Sequence, residues 1–223
     1  RSASNPIPAT GGQDPDSSEQ IRQNAPLPIL TLGRIVSLQD YQAFARAFSG
    51  IAKALETWTW HGQGRGVFIT VAGAGGAAIE DDGPIRKNLL AAVRASGDPE
   101  VNLQIKSYRP AFFRLAARVK YLPEHKGREV ELQAAIEARL RAAFAFNARA
   151  FGQAVQSSEV IALIQDTPGV MATVLDRLYL SKRAPAYNER LPASAPAPGA
   201  TMDTLAAELL TLDPAPVELS VMP

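Results

Sequence analysis

Two histidines are the side chains of this sequence whose chemistry best suits proton transfer near neutral pH. His61 and His125 each lie beside a predicted turn, and neither has a recognisable acidic or nucleophilic residue close by. A general base needs such partners to fix its geometry and to tune its pKa. The HExxH, nucleophile-elbow and lysine-bearing phosphate-loop motifs are also absent from the sequence. We therefore predict that the chain has no catalytic residue, no cofactor and no metal site.

A glycine-rich stretch over 72–76 follows a predicted strand and precedes a predicted helix, where glycines could let a phosphate approach. Glu80, Asp81 and Asp82 occupy the start of that helix, so they would repel an anion while complementing the helix dipole. Consecutive carboxylates on one turn diverge, which disfavours joint binding of a divalent cation. The pattern therefore indicates a solvated helix cap at this point.

A row of three cations is the most suggestive polar feature of the sequence. Arg114, Arg118 and Lys120 share one face of a predicted strand, because alternate residues of a strand point the same way. Such a row could contact phosphates, but aromatic residues that would stack on bases are missing from this face, and the net charge is only +1. A solvated or subunit-facing sheet surface explains the row more simply.

Two tryptophans, Trp58 and Trp60, alternate along another predicted strand. If their rings are exposed, they indicate a protein contact, because aromatic anchors dominate such contacts. They fit a hydrophobic core equally well. The sequence leaves these two alternatives open.

Composition sets the class of protein. The chain has 223 residues, enough for one large domain or two small ones, and no cysteine, which excludes disulfides and thiolate metal sites. Its 23 basic and 22 acidic residues nearly balance, so no overall field attracts nucleic acid or a membrane surface. No apolar run approaches the ~20 residues that span a bilayer, and no signal-peptide pattern opens the chain. We expect a soluble protein of cytosolic origin and, since it begins at Arg1, a trimmed or partial chain.

Hydrophobic periodicity and turn residues predict an extended arm followed by mixed helices and strands. The arm is rich in proline and glycine, so we expect it to lie along another surface or to stay mobile. Ser37 is the predicted N-cap of the first helix, with Asp40 in its first turn. The predicted elements are a helix over 38–48, a hairpin of strands over 51–60 and 67–72, a helix from Asp81 or Asp82 to residue 95, strands over 101–108 and 113–121, helices over 128–146 and 158–166, and a strand over 170–180.

The predicted fold class is α+β, with two small sandwich-like subdomains whose sheets are mainly antiparallel. The predicted divisions are an extended arm at 1–36, subdomains at 37–109 and 110–183, and a linker with a C-terminal docking element at 184–223. The proline- and alanine-rich residues 184–200 are interpreted as a linker that cannot pack. Beyond it, we predict a short helix over 202–212 and a strand over 217–221 that dock elsewhere, for example on a neighbouring molecule.

The order and spacing of several short segments resemble the baseplate J-like family, the wedge proteins of contractile phage tails and contractile injection systems. The likeness runs over 5–180 and is closest to baseplate assembly proteins of bacterial contractile injection systems. Those proteins are longer at the N-terminus, so the resemblance implies that this chain is a fragment. The matching segments are 5–12, Asn24-Ala25-Pro26, 34–41, 51–54, Phe151-Gly152-Gln153, 157–164 and Pro168-Gly169-Val170.

The resemblance implies a structural, non-enzymatic wedge subunit of a six-fold baseplate ring. Such a subunit would contact copies of itself, sheath-initiating proteins and the central hub, first in the cytoplasm and then in the tail-like particle. An arm that becomes ordered on binding can wrap a neighbour, so residues 1–30 are predicted to carry much of the contact between subunits. The predicted interface residues are Pro6, Pro8, Asn24, Pro26, Trp58, Trp60, Arg114, Arg118 and Lys120.

Two other functions stay open at this point. A nucleic-acid-binding α+β module would show steeply salt-dependent binding, because phosphate contacts release counterions. A small-molecule enzyme is disfavoured by the lack of convergent polar groups in the sequence. We expect no nucleic acid and no membrane among the partners.

Overall fold

A computed structural model describes residues 34–61, 64–198 and 204–222. These residues fall into two compact units, one made of 34–107 with residues 198 and 204, the other of 108–197 with 205–222. Most of the predicted arm, including the candidates Pro6, Pro8, Asn24 and Pro26, lies outside the described residues. Across these ranges, every helix is too short or too polar to cross a bilayer.

The first unit is a three-stranded sheet with two helices. α1 (Leu38–Ala47) precedes a hairpin of β1 (Lys53–His61) and β2 (Gly64–Ala72), and α2 (Pro84–Ser96) leads to β3 (Asn102–Ser107). β1 pairs antiparallel with β2, and β3 pairs parallel with β2 on its other edge. A parallel neighbour requires a crossover connection, and α2 supplies it.

A capping box begins α1, with the predicted N-cap Ser37 and the first-turn residue Asp40 as its two members. The Ser37 hydroxyl accepts the N–H of Asp40 at 3.3 Å, and the Asp40 carboxylate accepts the N–H of Ser37 at 2.7 Å. The N–H groups of Ser37 and Val36 lower the pKa of Asp40 by stabilising its carboxylate. The core residues of this unit share one face of the sheet and the facing sides of both helices, and they include Tyr41, Ala45, Ala54, Val67, Ile69, Val71, Leu89, Val93 and Ile105.

The second unit is built around one long strand. Its elements, in chain order, are β4 (Arg109–Tyr121), α3 (Glu129–Ala143), β5 (Val155–Gln156), α4 (Ser157–Gln165), β6 (Val170–Leu180), β7 (Arg190–Leu191), β10 (Glu208–Leu212) and β11 (Glu218–Val221). The two-residue strands β8 (Ala197–Pro198) and β9 (Thr204–Leu205) each have one residue assigned to either unit. β6 pairs antiparallel with β4, while β10 and β11 pair parallel with its first and second halves. The short strands pair as β5 with β7 and β8 with β9.

Alternation along β4 separates a core face from an outer face. The core face packs against α3 and α4, and the rings of Phe113 and Phe144 meet edge to face at 5.0 Å. The α+β class is confirmed, and the longest strand pairs in both sheets are antiparallel. The principal core residues are Phe113, Leu115, Ala117, Val119, Ile136, Leu140, Val160, Ile164, Leu175 and Leu178.

The predicted helix over 202–212 is wrong. The described part of this segment forms β9 and β10, and Leu209, Leu210 and Leu212 are buried. The residues of this segment are good helix formers. If they formed a helix, however, the backbone groups along one edge of β4 would lack hydrogen-bond partners, so the pairing with β4 overrides local propensity. The predicted strand over 217–221 is confirmed as β11, and it docks on β4 of its own chain.

The interpretation of 184–200 as a segment that cannot pack is also wrong. Leu191 of β7 is buried in the core of the second unit, where β7 pairs with β5. Backbone hydrogen bonds also hold this segment, because the oxygens of Ala186, Glu189 and Ser194 accept N–H groups from residues of the second unit at 2.8–3.0 Å.

Arg141 of α3 holds the loop between β10 and β11. Its guanidinium donates to the backbone oxygens of Asp213, Pro214 and Ala215 at 3.2, 3.2 and 2.9 Å. The same group pairs with Glu137 at 2.6 Å, one helical turn away. The C-terminal segment is therefore fixed to the helical layer as well as to β4.

Leu210→Ala tests whether β10 belongs to the core. We expect it to lower the free energy of unfolding by about 2–5 kcal/mol, because it removes fully buried methyl groups. Leu205→Ala is the matched control, since Leu205 lies nearby but is exposed, and its effect should stay within about 0.5 kcal/mol. Urea unfolding followed by circular dichroism measures both values. Equal losses would contradict the packing of β10.

Candidate functional site

The histidines give no acid–base arrangement in the described structure. His61 ends β1, and its side chain lies outside the description. His125 ends the short 3-10 helix Pro123–His125, and its Nε2 lies 4.0 Å from the Glu124 carboxylate, the outer limit of an ion pair. Within 34–61, 64–198 and 204–222, no group of three histidine, cysteine or acidic side chains could hold a metal ion.

The acidic run after the glycine-rich stretch does not cap a helix. The stretch forms the 3-10 helix Ala74–Gly76, but α2 begins only at Pro84, with Gly83 as its N-cap. Proline fits the first helical position because it has no N–H to leave unpaired. Glu80, Asp81 and Asp82 therefore precede the helix, and Arg86 reaches back to the backbone oxygen of Asp81 at 2.6 Å. The predicted cap role is wrong for this reason.

The three predicted cations lie on the outer face of β4, as the alternation predicts. Arg118 donates to both carboxylate oxygens of Asp176, with three contacts at 2.8–3.0 Å. Asp176 occupies an irregularity in β6 where the pairing with β4 shifts between Ala116 and Ala117, and the shift turns its carboxylate toward Arg118. Hydrogen bonding to Asp176 raises the pKa of Arg118.

A second ion pair lies beside the first on this face. Arg114 contacts Glu218 of β11 at 3.3 Å, and Arg177 lies 3.9 Å from the same carboxylate. The guanidinium groups of Arg114 and Arg118 are thus engaged by acids of their own chain. A phosphate would have to displace these carboxylates, so the outer face is a network of opposite charges and not a basic patch.

The tryptophans are at the surface, which excludes the hydrophobic core and leaves the protein contact as the prediction. The exposed fractions of Trp58 and Trp60 are 52% and 63%. The guanidinium of Arg65 lies 5.5 Å from the ring centre of Trp60, a cation–π distance. β1 is an edge strand whose described partner is β2, and Trp58 and Trp60 lie opposite Val67 and Arg65 of that strand.

The position of the rings follows from the course of β1. Ala54, on the same face, is buried, and Gln42 of α1 donates to its backbone oxygen at 2.9 Å. Toward the hairpin the same face opens to solvent at Trp58 and Trp60. An exposed edge strand that carries aromatic rings offers both backbone pairing and anchor side chains to another protein.

Sequence reasoning missed Arg149, the largest fully buried side chain of the described structure. Its guanidinium lies 2.8 Å from the Glu159 carboxylate and donates to the backbone oxygen of Ala154 at 2.6 Å. It also lies 5.2 Å from the ring of Phe144. The side chain thus joins the end of α3, the following loop and the first turn of α4. The one feature of the sequence that could have drawn attention to Arg149 is its position just before the Phe151-Gly152-Gln153 segment.

Arg149→Ala should destabilise the chain by about 3–5 kcal/mol, because it breaks a buried ion pair and leaves backbone oxygens unpaired. Arg118→Ala is the matched control. It also removes an arginine–carboxylate pair, but at the surface, where we expect almost no change. Thermal unfolding of both variants provides the measurement, and similar shifts would refute a structural role for Arg149.

A family model matches one part of this chain, and a solved structure matches most of it. Residues 33–106 match the model of the Baseplate J-like central domain. A chain of the anti-feeding prophage (AFP) baseplate, from a six-fold symmetrised cryo-EM structure, matches with a TM-score of 0.53 and 15% identity. The match covers 92% of this chain and 44% of that chain, so this chain spans less than half the length of its structural neighbour. No curated protein matches the sequence. At this identity the structural likeness shows a common fold.

Proposed function

We propose, from the Baseplate J-like central domain that this chain carries over residues 33–106, that the protein is a structural subunit of the baseplate of a contractile tail or injection system. The family match is the observation that carries the proposal. The fold likeness to a chain of the AFP baseplate extends the support over 92% of the sequence. The role is non-enzymatic and is performed by surfaces that join proteins.

We propose further that the chain is a wedge subunit that contacts copies of itself. A closed ring of identical subunits joins two different patches of each copy, one on either side. The exposed edge of β1, with Trp58 and Trp60, is the first of these patches, because large aromatic rings supply most of the energy of protein contacts. Sheath-initiating and hub proteins are the further partners, and assembly takes place in the cytoplasm before the chain joins the particle.

The ion pairs on the outer face of β4 support this role over nucleic-acid binding. Arg118 and Arg114 are already held by Asp176 and Glu218, so the groups that would bind phosphates are neutralised within the chain. Cation rows that bind nucleic acid instead keep their charges available and add aromatic stacking. A charge-balanced face of this kind is suited to solvent or to a neighbouring subunit.

Immunogold electron microscopy of a native lysate tests the baseplate assignment. We expect antibody against this chain to label one end of tail-like particles, because a baseplate subunit occupies the end of the tail. Antibody preadsorbed with the purified chain is the control. If the antibody leaves the particles unlabelled and detects the chain only as a sedimenting free monomer, the assignment is wrong.

The double substitution Trp58→Ala with Trp60→Ala tests the self-contact. We expect the concentration at which the purified chain self-associates to rise at least about thirtyfold, because loss of even one aromatic anchor costs about 2 kcal/mol. Tyr187→Ala is the matched control, since Tyr187 is an exposed aromatic residue of the second unit. Analytical ultracentrifugation measures the association, and an unchanged midpoint in the double variant would rule out this patch.

A further inference from the structure

An open cavity of about 380 Å³ lies at one end of the second unit, where β4 begins and β6 ends. The start of β4 and the end of β6 supply its apolar side chains. The turn that follows β6 and the first residue of β10 supply its charged side chains. Phe112 is the largest apolar side chain in it, with 39% of its surface exposed. The lining residues are Pro110, Ala111, Phe112, Leu180, Lys182, Arg183 and Glu208.

Backbone hydrogen bonds hold the turn that carries the two cations. The N–H of Ser181 donates to the backbone oxygen of Phe112, and the N–H of Arg183 donates to that of Leu180, each at 2.8 Å. The turn is thus tied to β4 and closed on itself. Lys182 and Arg183 extend from a fixed support beside an apolar surface.

The charges of this cavity are unbalanced. Glu208 is engaged, because it contacts Arg109 at 3.3 Å and accepts the N–H of Ser194 at 2.9 Å. Lys182 and Arg183 form no ion pair with any residue of the described ranges. They differ in this from Arg114 and Arg118 on the outer face of β4, which have carboxylate partners. The cavity therefore fits a segment that brings carboxylates together with an apolar side chain.

The N-terminal sequence contains such a segment at 14–21. It carries the carboxylates of Asp14, Asp16 and Glu19, ends in Ile21, and contains no basic residue. The run of three consecutive acidic residues at 80–82 is partly neutralised, because Asp81 lies 3.8 Å from the Arg86 guanidinium. Charge complementarity thus selects 14–21 as the occupant.

We propose that residues 14–21 of a neighbouring copy bind in this cavity, with their carboxylates at Lys182 and Arg183 and with Ile21 against Phe112. The inference rests on the proposed self-assembly and names the second contact of that assembly. The residues between Ile21 and Arg34 span up to about 45 Å when extended, which is enough to reach an adjacent molecule. A few exposed ion pairs bind weakly alone, but the high effective concentration within a ring makes such a contact persist.

Disulfide trapping tests the contact, because the chain has no cysteine of its own. Ser17→Cys is placed in one batch of full-length chain and Ala111→Cys, at the cavity, in another batch that carries a mass tag. After mixing and mild oxidation, we expect a heterodimer in at least tenfold higher yield than with the control pair Asp82→Cys and Ala111→Cys. Replacing both Lys182 and Arg183 by Glu in the tagged chain should abolish the excess. Restoration by Asp14→Lys, Asp16→Lys and Glu19→Lys in the partner would identify the charges involved.

Three results would overturn the inference: a heterodimer yield equal to that of the control pair, an excess that survives charge reversal, or a reversed-charge partner that fails to restore it. Negative-stain microscopy of the untreated chain separates this inference from the proposed function. Assembly without the disulfide overturns the arm contact alone. Absence of both assembly and disulfide overturns both proposals.

Discussion

The second unit depends on one constraint, the need to hydrogen-bond both edges of β4 once its core face is buried. β6 occupies one edge, while β10 and β11 together occupy the other. Because no single strand covers that second edge, the chain bridges it with a loop that Arg141 holds through three backbone oxygens. Because side chains alternate along β4, its apolar residues face the helices α3 and α4 and its cations lie on the outer face.

Elements with strong local periodicity could be predicted from the sequence. β4 shows a period of two and α3 shows a helical apolar stripe, so their patterns agree with the packing that forms them. In β6 the period of two is broken at the irregularity around Asp176, so Leu175 is buried and Val174 is exposed. β10 could not be predicted, since the residues around Leu210 favour a helix and its pairing partner Ala111 lies about a hundred positions earlier. Local propensity carries no information about the free edge of β4, because residues far away in the sequence create that edge.

For the candidate surfaces too, the sequence shows the residue types but not their partners or their exposure. The sequence identified Arg114 and Arg118 as cations of one face, but their partners Glu218 and Asp176 lie 104 and 58 residues away. For Trp58 and Trp60 the sequence left a protein contact and a core position equally open, because the exposure of the rings depends on packing that the sequence does not show. Arg149 was missed because burial of a charge depends on partners that fold around it.

The proposed baseplate role joins these features, since an exposed aromatic edge and a charge-balanced face suit repeated contacts between copies. A cryo-EM reconstruction of tail-like particles from cells that make this chain tests that role most directly. We expect copies of the chain to repeat around the baseplate axis, with Trp58 and Trp60 covered by the next copy. A baseplate that lacks the chain, or that leaves both rings in solvent, would contradict the account.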